Sequence, residues 1–334
     1  MDVFTLIGLF VILYLFIYLL VLSFADCDFG LAFAETFGQK IGVLRGKVVW
    51  ITGASSGIGA SLAEALAANG AKLVLSARNA GNLSKIKQKC IAAGLPATDV
   101  LILPMDMLEV HKHEQYFQQV IAHFGQLDVL VNNAGRSQRA VWENIAISVD
   151  RDIFELNVFS VISLSRLAVR YFNEKGGGHL VVMSSLAGVV GAPYSGSYTG
   201  TKHAIMGYFE SLRLERMGQR GPEGQLAITL LCPGPVFSNV LSESFTDMPG
   251  QKFNQQQEPT DKRMTTQRCA KLCAIAIANR LDEAWMGLFP VVPLCYVLRY
   301  YPYLAKKLSQ VMSGQYLQKI RDSRVTVKDQ NKTD

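Results

Sequence analysis

VVWITGASSGIG, residues 48–59, sets a run of five apolar or β-branched residues directly before a turn holding three glycines and two serines. The run shows no alternation between apolar and polar positions, so it reads as a strand buried on both faces. The stretch that follows, ASLAEALAANG at 60–70, has helical period. Glycines at a strand-to-helix turn let a diphosphate approach the backbone, and the helix N-terminus offers unpaired N–H groups with a favourable dipole. Taken alone such a turn is weak evidence. Its meaning depends on whether a strand–helix–strand pattern continues around it.

The pattern continues. LVLSA (73–77), VLILPMD (100–106), LDVLVNN (127–133), HLVVMSS (179–185) and LAITLLCP (226–233) read as further buried strands. Helical segments near 57–69, 80–93, 109–123, 148–173 and 197–217 separate them. A helix near 265–279 and a short strand near 285–289 complete the series. Repeated βαβ units specify an α/β chain with a doubly wound parallel sheet of Rossmann type, and 334 residues with 49% hydrophobic content can fill one such domain. Residues 234–264 break the rhythm with a polar stretch containing proline and glutamine, of which 239–264 reads as a loop over the substrate site.

Two further stretches carry chemistry. The second strand ends in Ser76, Ala77 and Arg78, where an acidic residue would bind the ribose hydroxyls of NAD. Arg78 instead offers a charge-assisted fork to a 2′-phosphate, which points to NADP(H); the alternative is a solvated arginine opening the next helix. In SYTGTKHAIMGYF, 197–209, Tyr198 and Lys202 are four apart and share one helix face.

The turn Thr52–Gly59 (T-G-x-x-x-G-x-G), the N-N-A-G of Asn132–Gly135, Asn157, Ser185 standing 13 residues before Tyr198, the Tyr198-x-x-x-Lys202 pair and CPGPVFS at 232–238 together resemble the short-chain dehydrogenase/reductase family. Order and spacing match over about residues 45–290. The resemblance implies an NADPH-dependent carbonyl reductase or alcohol dehydrogenase with Ser185, Tyr198, Lys202 and Asn157 as its catalytic set. Tyr198 would exchange a proton with substrate oxygen while Ser185 orients that oxygen. A phenol has a reference pKa near ~10, and a nearby ammonium favours phenolate. Lys202 would thus tune Tyr198 and also hold the nicotinamide ribose, and Asn157 would hold a water linking Lys202 to solvent.

The same resemblance assigns cofactor contacts to Thr52, Gly53, Ser55, Ser56, Gly57, Ile58, Gly59, Arg78, Asp106, Asn133, Ala134, Gly135, Pro233, Gly234, Val236 and Ser238, together with Tyr198 and Lys202. Asp106 has a second natural reading as a helix-capping residue. Asn132 reads as a support for the central strand beside the cofactor. The chain departs from the family pattern at Gly200 and Thr201, and at Ser56, where many NADP enzymes are basic, so the preference for NADP(H) rests mainly on Arg78.

Outside this region, Val3–Ala25 is a run of 23 uncharged residues bounded by Asp2 and Asp26. That is long enough to span a bilayer, and the lack of lysine or arginine before it favours an uncleaved anchor over a signal peptide. The expected organisation is an anchor at 1–25, a linker at 26–45, the catalytic domain at 46–290 and a C-terminal segment at 291–334. Residues 288–308, which lead into the last, read either as a membrane-interface element or as a lid or subunit contact, and Lys319, Arg321, Asp322, Arg324, Lys328, Asp329 and Lys332 as a solvated tail. Six cysteines without a C-x-x-C pair argue against a disulfide framework or a metal site. A net charge of +6 without a basic stripe interleaved with aromatics gives nucleic acid little support.

Membrane residence and resemblance imply an apolar carbonyl or alcohol substrate of the steroid, retinoid or quinone class, membrane lipid as a partner, the endoplasmic reticulum membrane as location, and a homodimer among the assemblies common in the family. The competing readings are an NAD-linked hydroxysteroid or retinol dehydrogenase and a non-catalytic nucleotide- or steroid-binding protein.

Overall fold

The computed structural model describes residues 2–24, 26–219 and 225–327. Strands β1 (Val48–Thr52), β2 (Lys72–Ala77), β3 (Val100–Pro104), β4 (Val129–Asn132), β5 (Gly178–Met183), β6 (Leu226–Pro233) and β7 (Glu283–Met286) form one parallel sheet in the order β3-β2-β1-β4-β5-β6-β7. Strand order reverses between β1 and β4, which opens a crevice beyond their C-terminal ends. All five residues of β1 are buried: Val49 and Ile51 enter one core, Val48 and Trp50 the other.

Helices α3 (Gly57–Ala67), α4 (Ala80–Ala92) and α9 (Thr266–Ala278) cover the first face with Leu62, Leu66, Leu83 and Leu272. On the second, α5 (His113–Phe124), α7 (Ser160–Lys175) and α8 (Gly196–Arg216) contribute Phe117, Leu164, Phe172 and Ile205. The alternating strands and helices thus bury apolar residues on both faces of the sheet, as the uninterrupted apolar runs required. The helix expected over 148–173 is two: α6 (Ile147–Phe154) and α7 flank a π turn at Glu155–Phe159 that carries Asn157. Such turns are frequent at functional sites.

Helix α1 (Val3–Phe24) is exposed along Val3–Leu20, a stretch of mean hydropathy 2.7 that is long and apolar enough to cross a membrane. Ala25, the expected end of the span, lies outside the described residues. Tyr18 of α1 packs against Phe29 and Tyr296.

Residues 26–45 are not a free linker. They hold α2 (Phe29–Phe37) and a 3-10 turn at Ile41–Leu44, with Leu31, Ala34 and Leu44 buried. Asp28 explains the docking: its carboxylate caps α2 at the N–H of Leu31 and also accepts the N–H of Trp285 at 2.5 Å. Arg268 adds a fork to Asp26 and Glu35 at 2.5–2.8 Å.

The C-terminal segment also differs from expectation. Helices α10 (Val291–Tyr300), α11 (Pro302–Val311) and α12 (Gly314–Asp322) follow β7, and the end of α12 is sealed against the domain. Asp322 is fully buried because its carboxylate meets Arg139 and Arg263, 183 and 59 residues away in sequence. Lys328, Asp329 and Lys332 lie outside the described residues.

Candidate active site

The crevice at the strand ends is a cleft of ≈ 1330 Å³ into which the Gly-rich turn, the N-N-A-G turn and the Ser185–Tyr198–Lys202 set all open. Its floor is built by the ends of β1 and β4. Thr52 ends β1, and its Oγ1 accepts the N–H groups of Asn133 and Ala134 at 3.0 and 3.1 Å. Asn133 returns the contact, its Nδ2 donating to the carbonyls of Thr52 and Gly53 at 2.9 and 3.2 Å. Asn132 faces away and donates to Ser165 at 2.9 Å.

Glycine is obligatory at two points of this floor. Gly53 adopts φ +67°, and a Cβ there would lie 2.9 Å from Cα of Ala134. A Cβ on Gly59 would lie 2.5 Å from both Nδ2 of Asn133 and the carbonyl oxygen of Gly53. Ser56, Gly57 and Ile58 at the start of α3 line the cleft, and the unpaired N–H groups of a helix N-terminus make such a place a ready anion cradle. Ser55 lines it beside them, and a Cβ on Gly57 would come within 3.3 Å of Cβ of Ser238 on the opposite wall.

Arg78 lines the outer end, exposed and with no ion pair among the described residues. Asp106 lies nearby and accepts the N–H of Leu108 at 3.0 Å, so it caps a turn and faces the cleft at once. At the inner end Pro233, Gly234 and Val236 lead from β6 into the substrate loop. The Gly234 N–H bonds Met286 O at 2.6 Å, and Val236 bridges to Met264. These residues fit a dinucleotide: glycines where a Cβ would fill the cradle, a helix N-terminus for the diphosphate and a cation at the ribose end.

Ser185 follows β5 and lines the cleft, its Oγ accepting the N–H of Ala187 at 3.1 Å and donating to Pro233 O at 3.2 Å. It therefore caps a turn as well as presenting a hydroxyl. Tyr198 lies on the first turn of α8, half-buried. Burial pushes its phenol up; Ser185, Arg139 and Arg321 pull the other way. Lys202, one turn on, is buried with Nζ donating to Met183 O at 2.7 Å and standing 5.7 Å from the Tyr198 ring centroid. Burial lowers its pKa to about 8. Arg139 and Arg321 thus join Lys202 as cations near the Tyr198 phenol, and the Lys202 ammonium also donates to a carbonyl.

Asn157 is buried on the π turn. Its Oδ1 accepts the N–H of Arg136 at 2.9 Å, and its Nδ2 donates to Arg136 O at 2.8 Å and Thr201 Oγ1 at 3.1 Å. Gly135 separates it from Lys202: a Cβ on Gly135 would be 3.0 Å from Asn157 Oδ1 and 3.8 Å from Lys202 Nζ. Arg136 and Glu243, not singled out in the sequence, meet across the cleft at 3.2 Å and tie the N-N-A-G turn to the substrate loop. The arginine's place directly after N-N-A-G was the available signal.

The family model described as short chain dehydrogenase matches residues 47–249. Human dehydrogenase/reductase SDR family member 7 is 35% identical over 299 residues, covering 89% of this chain and 87% of the relative. The 11-beta-hydroxysteroid dehydrogenase 1A of Arabidopsis thaliana is 33% identical over 249 residues, covering 74% and 68%. Among solved structures, a short chain dehydrogenase/reductase from Burkholderia phymatum in complex with NAD superposes with TM-score 0.67 at 23% identity, covering 79% of this chain and 95% of that one. An alcohol dehydrogenase from the archaeon Thermococcus sibiricus complexed with 5-hydroxy-NADP gives 0.62 at 24% identity, covering 73% and 97%. At that identity the two structures speak to the fold.

Proposed function

The chain belongs to the short-chain dehydrogenase family, an oxidoreductase family, and on that premise we propose that it is an NADP(H)-dependent carbonyl reductase acting on an apolar ketone, aldehyde or quinone. The observation that carries this reading is the convergence of Ser185, Tyr198 and Lys202 on the same cleft as the Gly-rich turn. NADPH supplies the hydride when bound. Tyr198 Oη gives its proton to the substrate oxygen, and Ser185 Oγ donates a hydrogen bond to the same oxygen, which orients and polarises it. Lys202 Nζ, with its pKa near 8, holds a proton that exchanges readily close to neutral pH, and it lines the cleft where it would hold the nicotinamide ribose. Asn157 keeps the Arg136 turn and Thr201 in place beside that ammonium.

The choice of NADP(H) rests on Arg78 at the ribose end of the cleft, since the two solved neighbours were obtained with NAD and 5-hydroxy-NADP respectively. The hydroxysteroid dehydrogenase relative supports a steroid-like substrate, and the exposed apolar α1 supports delivery from a membrane. We place the protein in the endoplasmic reticulum membrane, held by α1, as a homodimer.

The test is NADPH consumption by the detergent-solubilised full chain against steroid, retinoid and quinone carbonyls, beside Tyr198→Phe and an equal concentration of NADH. Turnover that is lost in the variant and weak with NADH is the expected result. Binding of NADPH without turnover of any carbonyl favours a nucleotide-binding protein, and no binding of either dinucleotide overturns the reading.

A further inference from the structure

Ser195 is the N-cap residue of α8, the helix that carries Tyr198 and Lys202, yet its side chain makes no cap hydrogen bond. A serine is favoured at an N-cap because its hydroxyl accepts an N–H of the first turn. Here the hydroxyl is diverted. It accepts Nη1 of Arg139 at 2.9 Å and Nη1 of Arg321 at 3.0 Å, and donates to Gln138 O at 2.8 Å. One donor and two acceptors are thereby all used.

The residue before it, Tyr194, has φ +56°, a left-handed conformation that costs a non-glycine residue and persists only where its surroundings hold it. Arg321 spans this turn, since the same Nη1 donates to Pro193 O at 2.9 Å. Arg321 is itself held by its neighbour: Nη2 meets Asp322 Oδ2 at 2.7 Å. Asp322, fully buried, also receives Arg139 through Nε and Nη2 at 3.3 Å, and Arg263 through Nη2 at 3.5 Å. Arg263 and Asp261 close the substrate loop, and Lys262 N–H bonds Ser323 Oγ at 2.7 Å. One end of α12 therefore joins three segments: the loop following N-N-A-G, the turn that starts the catalytic helix and the end of the substrate loop.

We propose that Arg321 is a positioning residue for catalysis, which holds the strained Pro193–Tyr194–Ser195 turn and so fixes where α8 begins and where Tyr198 stands, with Asp322 as the buried carboxylate that keeps Arg321 and Arg139 in place. The C-terminal helix is then a working part of the active site. Tyr198 lies three residues from the clamped hydroxyl, and small displacements of a proton donor carry large rate effects. The charged and titratable groups facing Tyr198 are Lys202 on its own helix, Arg139 after β4, Arg321 on α12 and Cys232 on β6. Loss of one cation makes the phenolate harder to form, so the rise of alcohol oxidation with pH moves to higher pH.

This inference rests on Tyr198 acting as the proton donor, and its test separates the two claims. Hydrogen exchange by mass spectrometry on the full chain in detergent reads the start of α8 without any turnover. In Arg321→Met, amides in 194–202 are expected to exchange at least ~10-fold faster, while those of α3 are unchanged. In steady-state assays the variant should lose about ten-fold or more in kcat, with KM for NADPH unchanged and the oxidation limb moved up in pH; Arg321→Lys, which keeps the charge but not the planar fork, should recover the pH profile and only part of kcat. If Arg321→Met does not fold, Ser195→Ala removes the shared acceptor while leaving the buried ion pairs, and should reproduce the exchange and kcat effects.

Unchanged exchange at 194–202 overturns the clamp whether or not the protein turns over. Faster exchange with unaltered kcat and pH profile reduces Arg321 to a structural role and overturns the positioning claim. A wild-type chain that turns over no carbonyl, with exchange raised as expected in the variant, counts against the reductase and for the clamp.

Discussion

Nδ2 of Asn133 lies 2.5 Å from the point a Cβ on Gly59 would occupy, and the same nitrogen donates to Thr52 O at 2.9 Å. The two turns that build the dinucleotide cradle are thus mutually fitted, and neither can move without the other. Gly59→Ala has to push Asn133 off the β1 carbonyl or shift the start of α3. Affinity for NADPH is expected to fall at least ~10-fold, because a misplaced cradle loses several backbone contacts to the diphosphate together. Titration of NADPH fluorescence against the variant checks this, and wild-type affinity there would mean the diphosphate sits elsewhere.

The proposed preference for NADP(H) rests on Arg78 alone. Its guanidinium is exposed at the end of the cleft, and a charge-assisted hydrogen bond is worth about 1.5–3 kcal/mol. Arg78→Asp should raise KM for NADPH by about 10-fold or more and improve use of NADH, since the carboxylate repels a 2′-phosphate and accepts ribose hydroxyls. Paired kcat/KM values for the two dinucleotides decide it. An unchanged ratio would return Arg78 to the solvated surface.

Lys202 makes a prediction about stability. Burial lowers its folded pKa from 10.5 to about 8, so between those values the unfolded chain binds the extra proton. Stability contributed by this group therefore rises with pH from about 8 to about 10.5, and below 8 the buried ammonium is a steady cost. Lys202→Met should melt higher than wild type at pH 7, with the gap closing as pH approaches 10, while turnover is lost. Parallel melting curves across that range would show the ammonium to be well compensated by Met183 O.

How much of this was legible in the sequence follows from the range of the interactions involved. VVWIT and its fellow strands announced themselves because a strand covered on both faces needs an unbroken apolar run, and TGASSGIG because its glycines are local steric requirements. Tyr198 and Lys202 were visible through the spacing of one helix face. Arg139, Ser195, Arg321 and Asp322 were not, since their meaning comes from contacts between segments 56 to 183 residues apart. In sequence, Arg321-Asp322 is indistinguishable from a solvated charge pair. The linker at 26–45 was misread for a related reason: Asp28 anchors it to Trp285, a partner 257 residues away.

That anchoring is the basis of the last prediction. Arg268 holds Asp26 and Glu35 together, directly between the apolar α1 and the catalytic domain, and the fork draws the Glu35 carboxyl down to about 2. A depressed carboxylate contributes stability that is complete above its unfolded value of 4.5 and is lost as pH falls toward 2. Arg268→Ala leaves Asp26 without its cation and Glu35 with Lys271 alone, 3.0 Å away, and should cost about 1–2 kcal/mol at pH 7, since each partner is still partly screened by water. The difference from wild type should shrink as pH drops from about 4.5 to about 2, where wild type also loses the pair. Because α2 is docked through this fork and through Asp28, the variant should also become cleavable by protease within 26–45 before the catalytic domain unfolds. A variant with a wild-type melting curve and no new cleavage would mean that Asp28, Leu31 and Ala34 hold the segment by themselves, and that the apolar helix is fixed to the domain by packing and not by charge.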